Sequence, residues 1–367
     1  MSDRYDYNPN TVWIVDGKSY MNKVDAMLAS IANNNSKIKF YYYNKEFEAF
    51  DWSIEPTESW PELCRRRAQQ LRDTNKYLRL WYSGGADSHT VLRSFLDNNI
   101  HLDEIIMVRA SPIDDFDGIS CRESNMRSIP YINSIRHDLP NTKISMVNIT
   151  GKHYEEYYNT DDWFTRTMGV YYFADDPSVI LDSRLSLEKY AGLKVPDGCV
   201  EITGELKPKV IRHEGKYYFD IIDSSFYYLH WANERAFFTT AEFPQIHSKQ
   251  CHELKHIVQR WYPHGNAHAD IYDHNTMDPY FEIDWMNCCR TIINMEVDYG
   301  KSAGLFSPKT ILRINDSKRH NPKLFQMFIE PLKELQKEIS PFWPNFNVAM
   351  DNVRANWYCL GPYNSEK

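Results

Sequence analysis

The residues best suited to chemistry lie in one run, YLRLWY-SGGADS-HTVLRSFL, at positions 77–96. A strand ending at Tyr82 meets a tight turn of Ser83, Gly84 and Gly85. Ala86, Asp87 and Ser88 then open a helix whose apolar positions are Val91, Leu92, Phe95 and Leu96. Such a turn suits an anion. Glycine lets the backbone approach a ligand and take positive φ, and the amides and macrodipole of a helix start favour phosphate. The Ser83 and Ser88 hydroxyls add donors. Asp87 repels a bare phosphate, so its presence points to Mg²⁺ between carboxylate and phosphate. A lone Gly-Gly pair reads as an ordinary capped strand–helix turn. The six-residue string in a strand–turn–helix setting is more specific. No Gly-Lys-Ser/Thr follows it, so the γ-phosphate grip of a Walker lysine is missing.

Ser83-Gly84-Gly85-Ala86-Asp87-Ser88 resembles the SGGxDS signature of the PP-loop ATP pyrophosphatases. That superfamily includes asparagine synthetase and GMP synthetase domains, tRNA-modifying sulfurtransferases and PAPS reductases. The resemblance covers residues 75–225 and implies an adenine nucleotide α-hydrolase-like fold, with ATP and Mg²⁺ as cofactors. It implies that residues 83–88 hold the nucleotide's phosphates and that Asp87 carries the metal. It sets the adenine against the end of the next strand, at Val108 and Arg109. The later loop Thr203-Gly204-Glu205-Leu206-Lys207-Pro208-Lys209 resembles the family's second nucleotide loop, with Gly204 at the ligand. There Lys207 or Lys209 neutralises departing pyrophosphate, unless both are solvated turn lysines. The implied reaction is transfer of AMP to a carboxyl or carbonyl oxygen, with pyrophosphate released. Ammonia or an amine then displaces AMP, as in an amide ligase. Sulfur transfer, or a PAPS-reductase-like reaction on the same loop, is the alternative.

Several branches fit poorly. Cys359-Leu360-Gly361 lacks the surrounding pattern of the PAPS reductase tail, and there is no CxxC pair for an iron–sulfur cluster. An N-terminal-nucleophile glutaminase needs Cys at position 2 and a long preceding domain; here Ser2 stands there and 82 residues precede Ser83. In general architecture the chain is similar to compact PP-loop proteins of bacteriophages.

A rival reading from another class is a zinc hydrolase. Residues 252–256, His-Glu-Leu-Lys-His, match HExxH, which on a helix puts two imidazoles on one face with Glu253 as general base. The metzincin extension fails at Tyr262, and His264, His268 and Glu282 sit at no recognised ligand spacing. The plain alternative is a helix over 246–261 with Ile246, Leu254, Ile257, Val258 and Trp261 as core. Weaker candidates are an acidic run, Asp114, Asp115 and Asp117, and a pair of arginines, Arg122 and Arg127. The former suits Mg²⁺ or an amine, the latter a carboxylate or phosphate; solvated loops and surface ion pairs explain both equally simply. Aromatics at 217–231 can stack a base or fill a core.

The elements that must position these residues alternate. Strands are expected at 11–16, 37–43, 77–82, 104–110, 143–149 and 199–203, with a hairpin over 209–222 around Glu214-Gly215. Helices are expected at 18–33, 58–73, 87–98, most of 120–137, 161–173 and 178–191. Apolar strands that follow helices imply an α/β fold with a mostly parallel, twisted sheet of about five strands flanked by helices. The expected organisation is an N-terminal αβ segment (1–74), a PP-loop nucleotide-binding domain (75–228) and a helical C-terminal region capping the site (229–367).

Composition narrows the class. The chain has 367 residues, 42% hydrophobic and 25% charged, an ordinary globular balance. With 42 basic and 50 acidic residues its formal charge is -8, which provides no general surface for non-specific nucleic-acid binding. No apolar run is long enough to span a membrane, and the seven cysteines are scattered without a framework. A cytoplasmic protein is expected, acting on a small-molecule acceptor or modified nucleobase, with a homo-oligomer left open.

Overall fold

The strand–helix alternation builds an α/β fold around a five-stranded parallel sheet. This computed structural model describes residues 10–21, 23–109, 124–148, 167–173, 176–181, 191–204, 209–213, 215–220, 232–261, 353–354 and 356–362. In chain order the elements are β1 (Thr11–Val15), β2 (Lys18–Tyr20), α1 (Lys23–Ala32), β3 (Ile38–Tyr42), α2 (Asn44–Glu48), α3 (Trp60–Thr74), β4 (Tyr77–Trp81), α4 (Ala86–Leu96) and β5 (Glu104–Arg109). A π-helical turn, Ser124–Ser128, then leads into α5 (Ile129–Ser134). There follow β6 (Lys143–Asn148), β7 (Thr167–Phe173), β8 (Asp176–Leu181), β9 (Cys199–Thr203), β10 (Lys209–His213), β11 (Lys216–Asp220), β12 (Glu234–Ala236), α6 (Pro244–Trp261), β13 (Val353–Arg354) and β14 (Trp357–Pro362).

The central sheet has the order β12-β9-β4-β5-β6, and every pairing in it is parallel. Strand alternation divides its residues between two faces. On one, Leu78, Leu80, Tyr82, Ile105, Met107, Val200 and Ile202 pack with Leu63 and Leu71 of α3 and with Val91 and Phe95 of α4. The α3 helix begins where Ser59 accepts from the Glu62 amide at 3.4 Å, with Pro61 in the first turn.

The opposite face carries charge. Arg79 is 1% exposed and stands in register with Glu104 on one side and Glu201 on the other. Its Nε donates to Glu104 Oε2 at 2.8 Å and its Nη1 to Glu201 Oε1 at 3.1 Å. Nη2 donates to the Lys194 carbonyl, tying the segment before β9 to the sheet. Glu104 is also bonded by the Ser145 hydroxyl and lies 3.0 Å from Lys143 Nζ. Burial alone raises the Glu104 pKa, but Ser145, Lys143 and Arg79 together hold it below the usual value.

A second core joins distant parts of the chain. Trp13, Val15, Ile38, Phe40 and Tyr42 pack with Phe47 and Trp52, and with Val210, Tyr217, Phe219, Leu254, Tyr358 and Leu360. The N-terminal sheet has the order β13-β3-β1-β2, and β10-β11-β14 form a three-stranded antiparallel sheet beside it. Core membership thus departs from chain order: the 209–220 hairpin packs with the N-terminal strands, and α3 packs with the central sheet.

Three expectations need correction. The helix expected over 18–33 begins only at Lys23, because Asp16 and Gly17 take φ of 48 and 80 and close a hairpin between β1 and β2. Strands β7 and β8 pair antiparallel, β7 within the stretch expected as a helix at 161–173 and β8 overlapping the start of the one expected at 178–191. The β-branched and aromatic run Val170, Tyr171, Tyr172, Phe173 favours that pairing. The C-terminal region contains α6 as expected, but it also adds β12, β13 and β14. Along β14, Tyr358 and Leu360 point to the core while Trp357 is exposed, a period of two rather than 3.6. Among the described residues no helix is long and apolar enough to cross a membrane.

Two buried histidines make stability depend on pH. Burial, then the nearby Arg93 charge, lowers the His89 pKa to about 4, and burial lowers that of His247 to about 3. Below 6.5, the ordinary histidine value, the unfolded chain takes up protons that the folded chain refuses, so acid destabilises the fold. Between pH 7 and pH 5 each histidine should remove about 2 kcal/mol of unfolding free energy. Urea denaturation at the two pH values should show this drop, and His247→Gln should shrink it.

Candidate anion-binding site at the SGGADS turn

Three strands of the central sheet end at one place. After β4, the Tyr82 amide still donates to the Ile106 carbonyl at 2.9 Å, and the chain then leaves the sheet through Ser83, Gly84 and Gly85. Gly84 takes φ +85, the left-handed region. Gly85 is the N-cap of α4 in extended backbone and has no side chain with which to cap it. The first turn of α4, Ala86, Asp87 and Ser88, therefore presents backbone amides and the positive end of the helix dipole at the end of the sheet.

Two close approaches hold this turn from different sides. A Cβ on Gly84 would lie 2.8 Å from the Ser128 amide nitrogen and 3.1 Å from Arg127 Cβ. A Cβ on Gly204, just past β9, would lie 2.8 Å from both the Asp87 carbonyl carbon and the Ser88 nitrogen. These neighbours are mostly backbone and cannot swing aside. Glycine at both positions is thus a packing requirement as well as a conformational one.

The hydroxyls reinforce the turn. Ser83 Oγ accepts from the Gly85 amide at 3.2 Å and lies 3.1 Å from Ser88 Oγ. Ser88 is buried and Ser83 exposed. Asp87 is half-buried in the first turn of α4. One carboxylate beside a turn of helix-start amides is a donor set that suits Mg²⁺ when a bound anion supplies further oxygens. Among the described residues no group of three or more His, Cys, Asp or Glu converges as a metal cage.

Val108 and Arg109 end β5 in the same sheet, both half-buried. Ser124 Oγ lies 3.4 Å from the Val108 carbonyl and Ser128 Oγ donates to the Ser124 carbonyl, so the π-turn is fastened to that strand end. One residue of the loop that resembles the second nucleotide loop has no role in the sequence reading. Thr203 precedes Gly204 and is 4% exposed, and its Oγ1 makes no hydrogen bond to any described residue. The available signal was a polar β-branched residue closing a wholly buried strand directly before a glycine.

Lys207, Asp114, Asp115, Asp117 and Arg122 lie outside the described residues. Lys209 opens β10, in register with Asp220 in the three-stranded sheet. In α6, His252 Nε2 meets the Trp52 carbonyl at 2.9 Å and His256 Nε2 meets Glu55 Oε2 at 2.7 Å. Lys249 Nζ, 2.6 Å from Glu55 Oε1, completes that contact. The two imidazoles of HELKH thus hold the 52–55 loop against α6 rather than facing a shared point. Tyr217 is in the second core, while Tyr218 pairs with the exposed Trp357 at 5.9 Å.

Two substitutions separate packing from binding. Gly204→Ala forces a methyl against backbone and should cost about 1–3 kcal/mol of stability, read by urea denaturation. Thr203→Val removes an unsatisfied buried hydroxyl, so the melting temperature should hold or rise. If that hydroxyl serves a bound anion, calorimetry with inorganic pyrophosphate should show weaker binding in the same variant. No protein-family model matches the chain and no curated protein matches it, so the site stands on its own residues and geometry.

Proposed function

We propose that this chain is an ATP-dependent adenylyl-transfer enzyme. It activates a carboxyl or carbonyl oxygen of a small-molecule acceptor or modified nucleobase for attack by ammonia or an amine. The carrying observation is the SGGADS turn itself, gripped at Gly84 by the π-turn and at Asp87–Ser88 by Gly204. This rigid cradle of backbone amides at a helix start, at the carboxyl end of a parallel sheet, is suited to phosphate.

The chemistry assigned to it balances simply. The acceptor oxygen attacks the α-phosphorus of ATP, a new P–O bond forms, and the bond to the bridging α–β oxygen breaks. Its electron pair leaves with pyrophosphate. The nitrogen nucleophile then adds to the adenylated carbon and AMP departs, the nitrogen losing its proton. In this reading the amides of residues 84–88 hold the phosphates, and Thr203 Oγ1 offers a buried hydroxyl at the same strand ends. Val108 and Arg109 border the nucleotide, Asp87 holds Mg²⁺, and Lys207 or Lys209 offsets charge on the leaving group. Mg²⁺, when bound, neutralises phosphate charge.

The test uses ATP labelled at the α-phosphate, with candidate acceptors and ammonia. Labelled AMP or an adenylated product, with unlabelled pyrophosphate, is expected; labelled ADP would refute the assignment. Asp87→Asn should lower turnover about a hundredfold or more with the fold intact. Gly85→Val should abolish ATP binding in calorimetry, because a branched side chain fills the space over the amides.

A further inference from the structure

We propose that Arg127 binds the anion seated on the SGGADS turn, as the guanidinium that meets its linked phosphates. This rests on the phosphate-binding reading of the turn and adds a residue to it. Arg127 lies in the π-turn Ser124–Ser128, and its Cβ stands 3.1 Å from where a Cβ of Gly84 would be. Its side chain therefore leaves the backbone at the turn that carries the amides, and it is half-buried there. Two methylenes beyond that Cβ, a planar fork of donors suits the paired oxygens of a phosphate.

The carrier is held rigidly. Ser124 Oγ reaches the Val108 carbonyl at 3.4 Å, and Ser128 is fully buried with its Oγ on the Ser124 carbonyl. On the other side α5 is locked to α4. The Tyr131 ring meets the His89 ring at 4.7 Å edge-on, and Arg93 Nη1 donates to Tyr131 OH at 3.2 Å. His89 Nδ1 in turn lies 3.1 Å from Tyr82 OH, at the end of β4. The π-turn is thus fixed to β4, β5 and α4, the elements that make the anion site. A charge so placed needs little reorganisation when ligand arrives, and π-turns recur where a fold bends to serve a site.

A further observation favours a cation here. Asp87 puts a carboxylate in the same turn, so a polyphosphate on these amides needs positive charge close by. An independent pointer to a ligand is Thr203 Oγ1, buried and without a hydrogen bond to any described residue, beside Gly204 where that glycine meets Asp87.

The experiment is calorimetric titration of the full chain with inorganic pyrophosphate, ATP and AMP, each with Mg²⁺. Arg127→Gln, which keeps most of the stem, should weaken pyrophosphate and ATP by about ten- to a hundredfold. AMP, which lacks the linked phosphates, should change by less than about threefold. Arg127→Lys should recover part of the pyrophosphate affinity, which a purely structural role would not produce in step with charge. Melting curves identify the folded variants; if Arg127→Gln does not fold, Arg127→Lys, which should bind pyrophosphate about tenfold more weakly than the parent chain, is decisive. Pyrophosphate affinity in the folded variant within about twofold of the parent overturns the Arg127 assignment alone. A parent chain that binds neither ATP nor pyrophosphate overturns the nucleotide reading, and this proposal with it.

Discussion

Arg79 lies inside the central sheet, and it is stable there because Glu104 and Glu201 stand beside it on the two neighbouring strands. A buried charge without partners costs several kcal/mol, so this contact does more than add attraction. It makes one alignment of three parallel strands far better than its neighbours. A one-residue slip of β5 or β9 would turn a carboxylate to the apolar face and leave Arg79 unpaired. The same alignment brings the ends of β4, β5 and β9 together, and the site is made of those ends. A polar contact deep in the sheet therefore sets geometry at its edge.

At that edge the constraint becomes steric. Gly84 and Gly204 are the contact points of two other segments with the turn, and neither has room for a methyl group. Close packing of backbone on backbone makes a rigid cradle without using the side chains that a ligand needs. The first turn of α3 satisfies an amide with Ser59, whereas α4 starts from a glycine that offers no side-chain cap. That difference between two adjacent helices is consistent with a ligand, rather than the protein, serving the second one.

The second core gives the described histidines of α6 partners within the protein. His247 is wholly buried, 2.8 Å from Thr239 Oγ1 and 4.4 Å from the Phe219 ring, and burial keeps it neutral. His252 and His256 bond a carbonyl and a carboxylate of the 52–55 loop. Lys255 caps the C-terminal strand at the Leu360 carbonyl and lies over the Tyr217 ring.

What the sequence determined by itself was local. Strand periodicity, the glycine turn and the helix after it depend on residues adjacent in the chain, and β4, α4, β5, β6 and β9 lie within a residue or two of their expected bounds. The SGGADS turn was legible for the same reason. Where neighbours conflicted, the reading failed: Tyr20 and Met21 fit a helical stripe, but Asp16-Gly17 forces a hairpin first. Only tertiary structure could decide which distant groups meet. Nothing in the local pattern near Gly204 announces Asp87, or near Gly84 announces Arg127, because those contacts join segments far apart in sequence. Thr203 illustrates the same limit. A threonine at a strand end is unremarkable in sequence, and only burial without a partner sets it apart.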